Sequence, residues 1–183
     1  VAIAGLGGLG SNIAMYLARA GVGHLHLVDF DKVDITNLNR QQYDIADLGT
    51  LKTDALTKNI KRFNPFIEIT SQCVKVNEDN AAEIFGGYKI VCEAFDKAEN
   101  KAMLVNSILS ECGDTKIVSG SGMAGFGSSN TIVTRKINDR FYLCGDAESD
   151  MNDGLALVAP RVAICAAHEA NMILRLLIGE KEV

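Results

Sequence analysis

The chain has no tryptophan, only two prolines and 6% aromatic residues in 183 positions. Its basic residues form no cluster and its net charge is −5. It therefore lacks the cationic surface that a nucleic-acid partner demands. No apolar run approaches the ~18 to 20 residues that span a bilayer, so no membrane segment is expected. The five cysteines (Cys73, Cys92, Cys112, Cys144, Cys165) are odd in number, widely spaced and form no Cys-x-x-Cys. Neither a zinc ribbon nor a thioredoxin-type motif can be built from such neighbours. They read as free thiols of a reducing cytosol, which makes the cytoplasm the expected compartment. Repeats, linkers and low-complexity tracts are missing. So is Gly-x-x-x-x-Gly-Lys-Ser/Thr, which excludes a P-loop enzyme.

What remains is ordinary for one globular domain over 1–183, with 48% hydrophobic and 22% charged residues. Val1 to Ala4 reads as a buried strand already under way at the first residue, so the chain is expected to be an N-terminally truncated fragment. Helical stripes follow at Ser11 to Ala20, Leu51 to Phe63, Glu78 to Phe85 and Ala98 to Cys112. Strands are expected at His24 to Val28, Ile67 to Cys73, Tyr88 to Ala94 and Lys116 to Ser119. This alternation implies an α/β, Rossmann-like fold with a mostly parallel sheet and flanking helices. Near the C-terminal third, Thr131 to Ile137 and Arg140 to Leu143 predict a short antiparallel appendage. A last helix covers Val162 to Ile178, opened by Pro160 and Arg161, and Met151 to Asp153 read as a mobile crossing loop.

Gly5-Leu6-Gly7-Gly8-Leu9-Gly10 ends the first strand and opens a helix, the context in which Gly-x-Gly-x-x-Gly signals a phosphate on a helix N-terminus. Asp29 follows about 20 residues on, where a carboxylate takes ribose hydroxyls. Gly120 to Gly125 matches the same pattern but is followed by a strand, so it reads as a flexible loop. Asn37-Leu38-Asn39-Arg40-Gln41 then adds a cation and amides that a dehydrogenase does not need. Arg40 and Lys52 can neutralise a triphosphate, and Asp96, just past a strand, can hold Mg²⁺ against it. ATP is the favoured nucleotide. An NAD(P)-binding oxidoreductase fits the glycine loop and Asp29 but not the Asn37 to Gln41 run, and a non-catalytic scaffold of the same fold stays open.

These motifs, with Ala20-Gly-Val-Gly23 and Asp29-x-Asp31, make the chain similar to the ThiF/MoeB/HesA-type adenylating, ubiquitin-activating-enzyme-like family. Its short length and Glu93-Ala-Phe-Asp96 most resemble a ThiF branch of thiamine biosynthesis. The resemblance implies adenylation of the C-terminal glycine of a small ubiquitin-like, ThiS-like sulfur carrier, releasing pyrophosphate. Gly5, Gly7, Gly8 and Gly10 would cradle the nucleotide, and Asp29 and Asp31 would lie beside it. Asn37, Arg40, Gln41 and Lys52 would contact ATP. The implied catalytic set is Arg40, Lys52 and Asp96, with Asp96 on Mg²⁺. A homodimer is implied, whereas zinc is not expected, because the paired cysteines of fuller members are missing. The loop from Glu148 to Leu155 also lacks the thiol that some members carry.

Overall fold

The computed structural model describes residues 1–150 and 154–183. Seven strands form one sheet: β1 (Ala2–Ala4), β2 (His24–Val28), β3 (Glu68–Gln72), β4 (Ile90–Glu93), β5 (Lys116–Gly120), β6 (Val133–Lys136) and β7 (Phe141–Gly145). Their order is β3-β2-β1-β4-β5-β7-β6, parallel except for the antiparallel β6–β7 pair. That pair is not an appendage. β7 pairs in parallel with β5, matching Ile117 to Phe141 and Gly120 to Cys144, so the hairpin prolongs the main sheet. The crossing loop expected at Met151, Asn152 and Asp153 lies outside the described residues.

Helices α1 (Gly8–Arg19), α2 (Lys52–Lys61) and α5 (Ala159–Leu177) contribute to one buried cluster; α3 (Glu78–Phe85) and α4 (Ala98–Glu111) contribute to another. Strand alternation divides the sheet between the two. Ile3, Cys92 and Val118 join the first cluster, while Ala2, Ala4, Val91 and Ile117 join the second. The period of two along each strand thus produces two cores from one sheet. α1 begins at Gly8, three residues before the expected Ser11, because glycine's low helix propensity matters little in a first turn that neighbours hold in place.

β1 and β4 are neighbours whose following connections leave toward opposite edges of the sheet, which makes their C-terminal ends a topological switch point. The glycine loop leaves one of these ends and the Asp96 loop the other. Beneath them Glu169 of α5 is fully buried, with the thiols of Cys92 and Cys165 donating at 3.6 and 3.8 Å. Burial, with Glu93 adding repulsion against the pull of Lys101, pushes its carboxyl up to about 8 from the ordinary 4.5.

The folded chain therefore retains a proton on Glu169 that the unfolded chain releases. Its contribution to stability is complete below the unfolded value and is lost as pH rises toward about 8. Glu169→Gln should flatten that decline, whose slope from this one group is at most about 1.4 kcal/mol per pH unit. Urea midpoints measured from pH 5 to 9 check this; an unchanged slope in the variant would place the titration elsewhere.

Candidate functional site

The four glycines of the first loop have different physical reasons to be glycine. A Cβ on Gly10 would lie 1.8 Å from the Gly5 carbonyl oxygen, and Gly5 has φ +90° with the Ala94 carbonyl oxygen 2.9 Å from its own missing Cβ. Both serve the close approach of helix to strands. At Gly7 the nearest atom to an added Cβ is Gln41 Nε2 at 3.8 Å, so the space faces the polar run. At Gly8 it would meet Val162 Cγ1 at 3.2 Å and the aliphatic stem of Arg40 at 3.7 Å. Gly7 is the N-cap of α1, no side chain caps the helix, and its first turn holds no acidic residue. The amides there remain available to an anion.

Asp29, at the end of β2, faces this loop. Its Oδ2 accepts from Leu6 N at 2.6 Å and its Oδ1 from Asp31 N at 2.8 Å. Burial raises its pKa, against the pull of Lys52 and the two backbone donors. Asp31 is the counter-ion of Lys52: Nζ to Oδ2 is 2.9 Å, with the Lys52 side chain buried and Asp31 half exposed. Lys52 thus sits in the site with a carboxylate partner already in place.

The polar run is held in shape by its own turns. Asn37 closes the short 3₁₀ turn Ile35–Asn37, its Oδ1 accepting from Asp34 N at 3.0 Å. Arg40 Nη1 donates to Thr36 O and Asn39 Oδ1 at 3.1 and 2.8 Å. Of the four buried side-chain polar atoms without a partner among the described residues, two belong to this run: Arg40 Nε and Gln41 Oε1. Both lie on the segment that covers Gly7 and Gly8, and both suit a polar ligand on the loop.

The residues that bring this segment onto the glycine loop had no motif to mark them. Asn12 is 3% exposed. Its Nδ2 donates to Gly8 O at 2.7 Å and Arg40 O at 3.1 Å, while its Oδ1 accepts from Gln42 Nε2 at 2.6 Å. Ser11 Oγ accepts from Gln42 N, and the buried Tyr43 hydroxyl donates to Leu6 O at 2.8 Å. Two small polar residues on the inward face of a helix's first turn are the only signal the sequence offered.

Asp96 lies in the loop between β4 and α4 and is solvent-exposed. Mg²⁺ is commonly bound by one or two carboxylates plus substrate phosphates, so this single side chain fits that donor set. Among the described residues no group of three or more His, Cys, Asp or Glu could hold a metal. Cys92 is a buried strand residue whose thiol is pushed well up by burial. The second glycine loop follows β5 and leads to a 3₁₀ turn, Ser129–Thr131. Arg161, in the first turn of α5, pins this loop by donating to Gly127 O and Ser128 O at 2.9 and 2.7 Å while pairing with Asp146.

A model of the ThiF family matches residues 1–183. The adenylyltransferase and sulfurtransferase UBA4 of Saccharomyces cerevisiae is 30% identical over 187 residues, covering 98% of this chain and 42% of that protein. UBA4 of Eremothecium gossypii is 38% identical over 124 residues, covering 67% of this chain and 28% of that protein. The chain therefore spans less than half the length of these relatives. Among solved structures, E. coli tRNA N6-threonylcarbamoyladenosine dehydratase, TcdA, in complex with ATP superimposes with a TM-score of 0.86 at 23% identity, covering 97% of this chain and 84% of that one. At that identity the likeness speaks for the fold.

The glycine roles separate in experiment. Gly10→Ala should cost about 3 kcal/mol or more, because the new Cβ meets backbone rather than a side chain that can move aside. Gly7→Ala should leave stability within about 0.5 kcal/mol yet weaken ATP binding about tenfold or more. Denaturation curves with and without ATP measure both; equal ATP affinity in Gly7→Ala would remove that face of the loop from the site.

Proposed function

The chain belongs to the ThiF family, and from that premise we propose that it is an ATP-dependent adenylyltransferase acting on the C-terminal glycine carboxylate of a small ubiquitin-like sulfur carrier. The observation that carries this reading is local. Uncapped amides at Gly7 to Gly10 face a segment whose Arg40 Nε and Gln41 Oε1 are buried without partners. A triphosphate on the loop supplies acceptors for the amides and for Arg40. The names of the curated relatives, adenylyltransferase and sulfurtransferase, agree with it.

In this reading the carrier's carboxylate oxygen attacks the α-phosphorus of ATP, a P–O bond to the carrier forms, and the bond to the departing pyrophosphate breaks. Charge accumulates on the α-phosphoryl oxygens in the transition state, where fixed cations stabilise it more than in the ground state. Arg40 provides one such cation. Lys52 provides the second by turning its ammonium from Asp31 toward phosphate, an exchange of one anion for another that avoids stripping a buried lysine of its partner. Asp29 holds the ribose, Asn37 and Gln41 offer amides, and Asp31 holds the Lys52 ammonium in place until the phosphates arrive. Asp96 would hold Mg²⁺, which supplies charge neutralisation of the phosphates when bound.

We place the carrier among ThiS-like proteins and the active unit as a homodimer, both from the family resemblance. Thiamine biosynthesis is the narrower reading and rests on that resemblance alone, since the relatives' names speak of adenylyl and sulfur transfer. α5 gives no separate argument for a dimer, since its apolar face packs on α1 and the sheet of its own chain.

Carrier-dependent pyrophosphate exchange is the test. Arg40→Ala should slow exchange roughly 10²- to 10³-fold, and Arg40→Lys should recover little because a point charge does not replace a planar fork. Asp96→Ala should abolish exchange with the fold intact. Stabilisation by NAD in preference to ATP would instead select the oxidoreductase. Tight ATP binding with no exchange, given a carrier that ends in Gly-Gly, would select the scaffold.

A further inference from the structure

Under the ends of β4 and β5 lies a set of buried charged groups that the proposed chemistry leaves unused. Glu93, the last residue of β4, is completely buried. Its Oε1 accepts from Phe95 N at 2.6 Å, and Ser119 Oγ donates to its Oε2. Lys101, one turn into α4, reaches both oxygens, at 3.3 and 3.1 Å. Such a pair is costly to bury and is not needed to fill the core, so its position relative to the site is informative.

That position is specific. The bond from Phe95 N turns the chain immediately before Asp96, and the ion pair straps the strand end to the helix that follows, closing the short loop between them. On the other side the loop rests on the glycine motif. Ala94 N donates to Ala4 O at 2.8 Å, and only the missing side chain of Gly5 admits the Ala94 carbonyl and the Phe95 ring, 2.9 and 3.1 Å from where a Cβ would be. Asp96 is thereby the one exposed carboxylate on a loop fixed at both ends.

We propose that the Glu93–Lys101 pair is a positioning device that holds the Asp96 loop in the orientation in which its carboxylate meets a metal–nucleotide complex. Neither residue touches substrate; both act through Asp96. The inference rests on the reading of Asp96 given above, and a purely structural pair would affect stability alone.

The test uses the full chain with ATP and Mg²⁺ as probes. Mg²⁺ is titrated at saturating ATP and followed by thermal shift, with the Mg²⁺ dependence of pyrophosphate exchange measured in parallel. Glu93→Gln/Lys101→Met removes both charges together, and the neighbouring Glu169, whose carboxyl is pushed up to about 8, stays neutral below that pH. It should raise the Mg²⁺ midpoint about 10-fold or more, the scale for losing an outer-shell partner of a metal ligand, without changing metal-free ATP binding. Lys101→Arg should restore a midpoint near that of the wild type. If the double variant does not fold, Ser119→Ala, which removes one donor to Glu93, should still raise the midpoint measurably. A wild-type midpoint in the folded variants overturns the proposal when Asp96→Ala, run beside them, loses its Mg²⁺ response. An undiminished Mg²⁺ response in Asp96→Ala overturns the Asp96 reading itself, and the positioning role with it.

Discussion

The site depends on the side chain of Asn12. It is buried at the start of α1, and its donors and acceptor go to Gly8, Arg40 and Gln42, which join the glycine loop to the polar segment that covers it. Each such bond adds only about 1 kcal/mol net, but an unmade one leaves a buried polar group unsatisfied at about 1–3 kcal/mol. The network is therefore all or nothing, and it selects one placement of the Arg40 segment over the many a polar loop can adopt. Ser11 and Tyr43 tie down the same segment at two further points, one on the helix and one on the glycine loop. Arg40 is held by its backbone carbonyl through Asn12 and by its guanidinium edge through Thr36 and Asn39. This leaves its Nε facing inward.

The electrostatics follow from that placement. A chain of net charge −5 would repel a triphosphate at long range, so attraction must come from charges fixed close to the phosphates. In the proposed function Lys52 is one of these, and its Asp31 partner answers the cost of keeping an ammonium buried without a ligand. Asp29 is different. Both of its oxygens accept backbone N–H bonds, so its orientation is fixed before any hydroxyl arrives.

What the sequence made legible was local. The glycine loop, Asp29 and Asp96 stand at or just past strand ends that hydrophobic runs reveal. The Asn37 to Gln41 run marks itself by its motif in the connection from β2 to α2, and the parallel sheet follows from the alternation of strands and helices. Asn12 and Ser11 were not legible, because one polar residue in an apolar helical stripe gives no hint that its partner lies some 30 positions away. Glu93–Lys101 and Arg161–Asp146 were hidden for the same reason: each is a long-range or cross-element pair. The β6–β7 hairpin was readable as two strands, but its attachment to β5 is a tertiary choice that neither strand encodes alone.

The two Gly-x-Gly-x-x-Gly matches show what a phosphate loop requires beyond its glycines. In the second, Ser121 N is bonded to Cys144 O, Gly125 N to Ala156 O, and Gly122 and Gly125 take positive φ values of 78° and 73°. Those amides are already committed to the β7 end and the segment before α5, and the chain goes on to a 3₁₀ turn and a strand rather than into a helix. In the first match the amides entering α1 meet no side-chain cap, and the segment held by Asn12 closes over them. An anion site is thus made by donors left unpaired at a helix start and a second element that shields them from water. Glycine allows the backbone to come close, but it is the commitment of the amides that separates the loop that can bind from the loop that only turns.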